Sequence, residues 1–272
     1  MENFAAIFVL LFALLVIVYF LSQIVSAVIE PFYMSAFQKP VYVFFYPILK
    51  KIPDSQRHIL ESRFPFYRRL PEKKKGYFEH RVFHFLNRNT FFGKDGLTVT
   101  DEMRIMVAAT YVMLTFGFRI YLFEVFNKII IYPDVYQPTN SEEAHKGEFN
   151  PRAKAVVFSW RHFMEGYDTN NDNLNLGIHE FAHTLHFYGL QRRDNGAALF
   201  ASKYDRIMKE INHPANKQKL IDSEYFRIYA YTNSFEFIAV LLEHFFETPE
   251  IFKREFPVLY DHVRIMINYR DN

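Results

Sequence analysis

The segment LNLGIHEFAHTLHFYGL, residues 174–190, contains the pattern H-E-x-x-H at His179, Glu180 and His183. On a helix, side chains four residues apart lie one above the other, so both imidazoles can reach one cation at about 2.0–2.1 Å. Glu180 is turned by roughly 100° from His179, which keeps it off the metal but within reach of a metal-bound water. A zinc ion lowers the pKa of such a water toward about 7, and a carboxylate beside it can take the proton as hydroxide attacks a carbonyl carbon. The alternative is an amphipathic helix that happens to be rich in histidine. The H-E-x-x-H spacing, inside a segment that reads as helical on other grounds, favours the metal.

Catalytic zinc usually has three protein ligands and a water. The chain has no cysteine, so a third ligand must be His, Asp or Glu, and disulfides and thiolate sites are excluded. His186 shares the face of His179 and His183 but lies roughly 10 Å from His179 along the axis at 1.5 Å per residue, too far for one small ion. It belongs behind the ligands or on the cleft wall. A separate helix should supply the last ligand. In YAYTNSFEFIAVLLEHFFETPE, Glu236 and Glu243 lie seven residues apart on one face, and a carboxylate inside FEFIAV needs a partner to justify burial. Glu236 is the candidate; Glu243 and Glu247 are expected to be solvated or to support the site from behind.

These residues need positioning elements. The runs KIIIYPDVY and KAVVFSW (154–160) read as strands, and the second could line a substrate cleft by edge pairing. The polar stretch 137–152 reads as a loop with a turn at NPR. Helical spacing of Tyr77, Phe78, Val82, Phe85 and Leu86 predicts a helix stopped near Gly93, and Thr100 or Asp101 can cap another that Gly117 ends. Further helices are predicted over 173–188, 197–212 and from 233 to the end, broken at Pro249 and Pro257. The fold class is therefore α+β, predominantly helical, with a small β-sheet.

The N-terminus reads differently. Residues 4–21, FAAIFVLLFALLVIVYFL, carry no charge, and apolar character continues to Ile29. A helix of that extent crosses about 30 Å of hydrocarbon. No Lys or Arg precedes the run, and it exceeds the roughly 7–15 residues of a signal-peptide core, so a retained anchor is expected over a cleaved leader. Only Glu2 precedes it, whereas Lys39, Lys50, Lys51, Arg57, Arg63, Arg68 and Arg69 follow. The positive-inside rule then places the body in the cytoplasm, on a single-pass protein of the inner (cytoplasmic) membrane. The expected organisation is an anchor over 1–30 embedding residues 4–29 in the bilayer, an aromatic, proline-punctuated interfacial segment over 31–59, and a catalytic domain over 60–272. A net charge of +2 offers none of the basic field that nucleic-acid binding needs.

In order along the chain, the segment RFPFYRRLPEKKKGYFEHRVFHFLNRNTFFGKDGLTVTDEMRIMVAATYVMLTFGF, then IIIYPDVY, VVFSW, NLGIHEFAHTLHF and YAYTNSFEFIAVLLEHFFETPEIFKREFPVLY, resemble the MtfA-like zinc peptidases, named for Mlc titration factor A. The resemblance covers about residues 60–265. It implies a gluzincin-type body with Zn2+ held by His179, His183 and the glutamate of EFIAV, Glu236, acting on peptide or protein substrates. It also implies an oxyanion-stabilising role for Tyr229, seven residues before that glutamate. Two departures stand out: relatives commonly carry Asp where this chain has His186, and soluble members lack the anchor. The namesake's titration of a repressor implies a possible transcription-regulator partner, and with it an alternative function: a binding protein that sequesters a transcription factor, its zinc site structural or vestigial.

Overall fold

The computed structural model describes residues 2–137, 144–169 and 171–270. It divides into two compact units, Met1–Val43 and Phe44–Asn272. In the first, α1 (Glu2–Ile24) runs through a π-helical turn (Val25–Ile29) into α2 (Glu30–Phe37). Ala6–Phe37 is, among the described residues, the one helix long and apolar enough to cross a membrane, with a mean hydropathy of 2.8 over its most apolar 18 residues. At 1.5 Å per residue its 32 residues extend about 48 Å. Gln38, in the left-handed region at φ 51°, ends it, and the Val41 N–H donates back to the buried Glu30 carboxylate at 3.2 Å.

The second unit is α+β and predominantly helical. It contains α3 (Asp54–Arg63), α4 (Pro65–Arg68), α5 (Glu72–Arg88), β1 (Thr90–Gly93), α6 (Asp101–Thr115), β2 (Lys128–Tyr132), β3 (Gly147–Asn150) and β4 (Ala155–Ser159). It continues with α7 (Trp160–Asp168), α8 (Leu176–Gln191), α9 (Asn195–Asn212), α10 (Pro214–Asp222), α11 (Ser234–Glu247), α12 (Pro249–Glu255) and α13 (Pro257–Met266). Prolines open α4, α10, α12 and α13, where a missing N–H costs nothing. Thr100 caps α6, its Oγ1 accepting from the Met103 N–H at 3.2 Å.

The sheet runs in the order β1-β2-β4-β3, with β1, β2 and β4 parallel and β3 antiparallel on the edge. Every residue of β4 is buried, as its uninterrupted AVVFS run requires of a central strand. Three sequence expectations are corrected here. The stretch expected to be a loop over 137–152 contains β3; its residues 138–143 lie outside the described residues. The strand expected to offer its edge to a cleft, β4, is interior, and β3 takes that place. The segment before Gly93 leaves the helix at Arg88 and pairs with β2 as β1.

At the end of α6 the last carbonyls would be orphans. Arg81 of α5, wholly buried, donates to the carbonyls of Thr115 (2.9 Å), Phe116 (3.2 Å) and Phe118 (2.8 Å). A Cβ at Gly117 would stand 2.1 Å from the Ile267 carbonyl oxygen, so only glycine lets the C-terminal segment close over this junction. The core side of α8 is fixed by Phe181, whose ring packs against Phe85, Tyr111, Phe126 and Phe158 at centroid distances of 5.2–6.2 Å. Burial of such a ring contributes about 1.5–3 kcal/mol and sets the rotation of the helix. His179 and His183 are thereby turned toward α11 and β3.

Candidate metal centre and cleft

The helix bearing H-E-x-x-H starts at Asn175, whose side-chain oxygen accepts from the Ile178 N–H at 3.0 Å. Its two imidazoles lie 4.7 Å apart between ring centroids, nearly perpendicular. Glu236 comes to them from the first turn of α11, where Asn233 caps the helix by accepting from the Phe235 and Glu236 N–H groups. Its Oε2 is 3.0 Å from His179 Nε2 and its Oε1 3.7 Å from His183 Nε2. One ligand atom from each of the three residues falls within 4.8 Å of the others. Glu236 is not wrapped by the apolar residues around it in FEFIAV; it sits at the start of the helix, facing the cleft, with 14% of its side chain exposed.

The electrostatics suit a cation at this point. Burial disfavours the charged form of His179, yet Glu236 at Nε2 and Glu243 at Nδ1 outweigh it and raise its pKa to about 10. Burial would raise Glu236, and the His179 hydrogen bond with the neighbouring imidazoles instead holds it below its usual value. The 3.0 Å approach of Glu236 to His179 Nε2 marks a place where positive charge is stabilised, and a metal ion can take that place. His183 is held neutral, its pKa lowered to about 4 by burial and by His179. Two imidazoles and a carboxylate, without sulfur, form a donor set that zinc accepts.

Of the two glutamates expected to be solvated or to support the site from behind, one stands behind His179. Glu243, seven residues along α11 and 1% exposed, accepts from His179 Nδ1 at 3.0 Å. Its other oxygen is 2.7 Å from Arg227, which also donates to the Asn173 carbonyl at 2.8 Å. A carboxylate on the far nitrogen fixes the tautomer and ring angle of a ligating histidine. The available signal was the seven-residue spacing of Glu236 and Glu243; nothing local marked Arg227.

Glu180 is 5% exposed and lies against β3. A Cβ on Gly147 would approach its Oε1 to 2.8 Å and its Cγ to 2.9 Å. Burial, reinforced by Glu236 and Glu148, raises the Glu180 pKa to about 7, while the Phe149 N–H donates to it and pulls the other way. Tyr229, in a short 3₁₀ turn ahead of α11, hydrogen-bonds Glu236 and remains half exposed to the cleft, its ring 6.2 Å from that of His179. Burial pushes its pKa up to about 12, so it stays a hydrogen-bond donor. His186 does not line the cleft and stands close enough to His183 to act on that imidazole. It is fully buried, stacked on Phe235 at 4.1 Å, and neither ring nitrogen has a hydrogen-bond partner among the described residues. Glu247, at the end of α11, faces a different cavity. The cleft itself has a volume of about 790 Å3, with β3 along one side and His179, Glu180, His183, Tyr229 and Glu236 at its floor.

A helix carrying two histidines and an adjacent glutamate, completed by a glutamate from a second helix at the floor of a cleft, is the construction of a metallopeptidase. Residues 48–267 match the family of glucose-regulated metallo-peptidases M90, and the chain belongs to it. An uncharacterised protein of Synechocystis is 27% identical over 239 residues, 79% of this chain and 84% of that protein. Mlc titration factor A of Serratia proteamaculans is 24% identical over 65% of this chain and 73% of its own length, and that of Yersinia pestis 25% identical over 65% and 71%.

Proposed function

We propose that the protein is a membrane-anchored zinc metallopeptidase that hydrolyses peptide bonds in peptide or protein substrates. The observation that carries this reading is the convergence of His179 and His183 of α8 with Glu236 of α11. In this reading those three residues hold Zn2+, which supplies an acidified water and polarises the scissile carbonyl. Glu180 takes the proton of the attacking water and passes it to the leaving amine; a carboxylate with a raised pKa suits both duties. Tyr229 donates to the oxyanion as it forms. The edge strand β3, beside Glu180, offers backbone groups to an extended substrate.

The anchor is residues 4–29 within the domain 1–30, and residues 31–59 form the membrane-proximal segment. The apolar helix supports this arrangement, and the cations that follow it support a cytoplasmic location for the peptidase domain, 60–272, at the inner membrane. The test is hydrolysis of a casein or fluorogenic peptide substrate by the full-length protein in detergent, with zinc content measured on the same sample. Glu180→Gln should abolish turnover while zinc is retained; turnover that survives this substitution overturns the mechanism.

The relatives' name, Mlc titration factor A, supports a second reading, a protein that sequesters a transcription regulator and whose zinc site is structural. Full complementation of a deletion phenotype by Glu180→Ala would favour it over the peptidase.

A further inference from the structure

A second cavity of about 310 Å3 lies on the other side of the α8 N-terminus and, among the described residues, shares no lining residue with the cleft. Its walls include the rings of Phe64, Phe66, Tyr167 and Phe246, with Arg69 at an exposed position and Glu247 as its acid. One carboxylate oxygen of Glu247, Oε2, is buried and has no hydrogen-bond partner among the described residues, and the Asn175 side chain and the Asn173 N–H stand near the group and favour its ionised form. The cavity therefore holds a buried carboxylate oxygen that no described donor reaches. A buried acceptor without a donor is costly, and each such group calls for an explanation.

Two further observations say what kind of group answers it. Glu247 is the last residue of α11, where the helix dipole presents its negative end and favours a cation. The charges acting most strongly on it, Asp172 and Glu243, are also negative. With burial they raise its pKa to about 7. A divalent metal would require several oxygen ligands, and the cavity offers aromatic rings instead. Rings around a lone carboxylate are the chemistry that recognises an organic ammonium, by an ion pair at one end and by cation–π and apolar contact elsewhere. The Tyr167 hydroxyl is bonded to Thr110, which fixes one of those rings, and 310 Å3 is at the small end of ligand-pocket volumes.

We propose that this cavity binds a small primary amine in its ammonium form, with an apolar or aromatic body, through Glu247. The site is independent of the zinc reading and its test does not involve catalysis.

The full-length protein in detergent is titrated calorimetrically at pH 8 with benzylammonium and, as the uncharged isostere, benzyl alcohol. Benzylammonium should bind at least about ten-fold more tightly than the alcohol, and Glu247→Gln should weaken it by about ten-fold or more while leaving the alcohol unchanged, since one charge-assisted hydrogen bond corresponds to at least that factor. Equal binding of amine and alcohol to the unaltered protein, or amine binding indifferent to Glu247→Gln, overturns the proposal. Should that variant misfold, crystals of the unaltered protein soaked in 4-bromobenzylammonium decide the matter. Anomalous bromine density in this cavity, with the ammonium at Glu247, supports the proposal, and density only elsewhere refutes it.

Discussion

Glycine at position 147 is the sharpest point at which the fold constrains the chemistry. An added Cβ there would lie 2.8 Å from Glu180 Oε1, 2.9 Å from its Cγ and 2.8 Å from Leu176 Cδ1. Ordinary carbon contacts begin near 3.4 Å, so Gly147→Ala leaves the Glu180 side chain about half an ångström short of room. Leu176 can swing its terminal methyl away. Glu180 cannot retreat as freely, because it is buried and tied to the Phe149 N–H. A misplacement of 1 Å can cost about 100-fold in rate, so half that displacement should lower kcat/KM by about ten-fold. The strain itself should cost about 1 kcal/mol of stability, at the low end for overpacking. Zinc content should not change, because the atoms nearest the added methyl belong to Glu180 and Leu176 and not to His179, His183 or Glu236. Peptide hydrolysis and metal analysis on one preparation provide the assay. Unchanged kcat/KM would refute the idea that β3 sets the position of the base, and lost zinc would show that Glu180 belongs to the ligand shell.

Three further outcomes are expected. Glu243→Gln should weaken zinc binding about 10- to 100-fold in a chelator competition, because His179 loses the carboxylate that orients it; undiminished affinity would remove that role. Tyr229→Phe should lower kcat by about 100-fold with KM and zinc little altered, the loss usual for one oxyanion donor, whereas a full kcat would leave the tyrosine without a part in the reaction. His80 accepts from the Lys50 N–H at 3.0 Å, and burial, with His84, lowers its pKa to about 4. Between the unfolded value near 6.5 and that figure the unfolded chain binds the extra proton, so the His80 contribution is full above pH 6.5 and is lost as pH falls toward 4. In urea titrations at pH 7 and pH 5, His80→Gln should show a smaller drop in stability than the unaltered protein, and an equal drop would contradict the assignment.

Periodicity and local chemistry carried much of the fold. The central strands β2 and β4 are runs of β-branched and apolar residues, and α11, α12 and α13 are separated at the prolines that break their pattern. The mixture of helices with a small sheet was legible for the same reason. β3 was not, because GEFN is short and sits on an edge, half-buried along its whole length, and so shows neither alternation nor an apolar run. α7 was hidden by starting at the residue after β4, with Ser159 serving as the strand's end and the helix cap at once. Within the site, H-E-x-x-H is contiguous and therefore visible. The contact of Glu243 with His179 spans 64 residues, and the one between Arg227 and Glu243 depends on where a 3₁₀ turn meets α11, a tertiary fact that no local spacing encodes.

Zinc K-edge X-ray absorption on the purified full-length protein reads the coordination by His179, His183 and Glu236 itself. Two imidazoles with a carboxylate and a water should give a four-coordinate nitrogen and oxygen shell at about 2.0–2.1 Å, and Glu236→Ala should remove one oxygen while both imidazole signatures remain. A third imidazole in the shell, a shell unchanged by Glu236→Ala, or a protein that binds no zinc would contradict it.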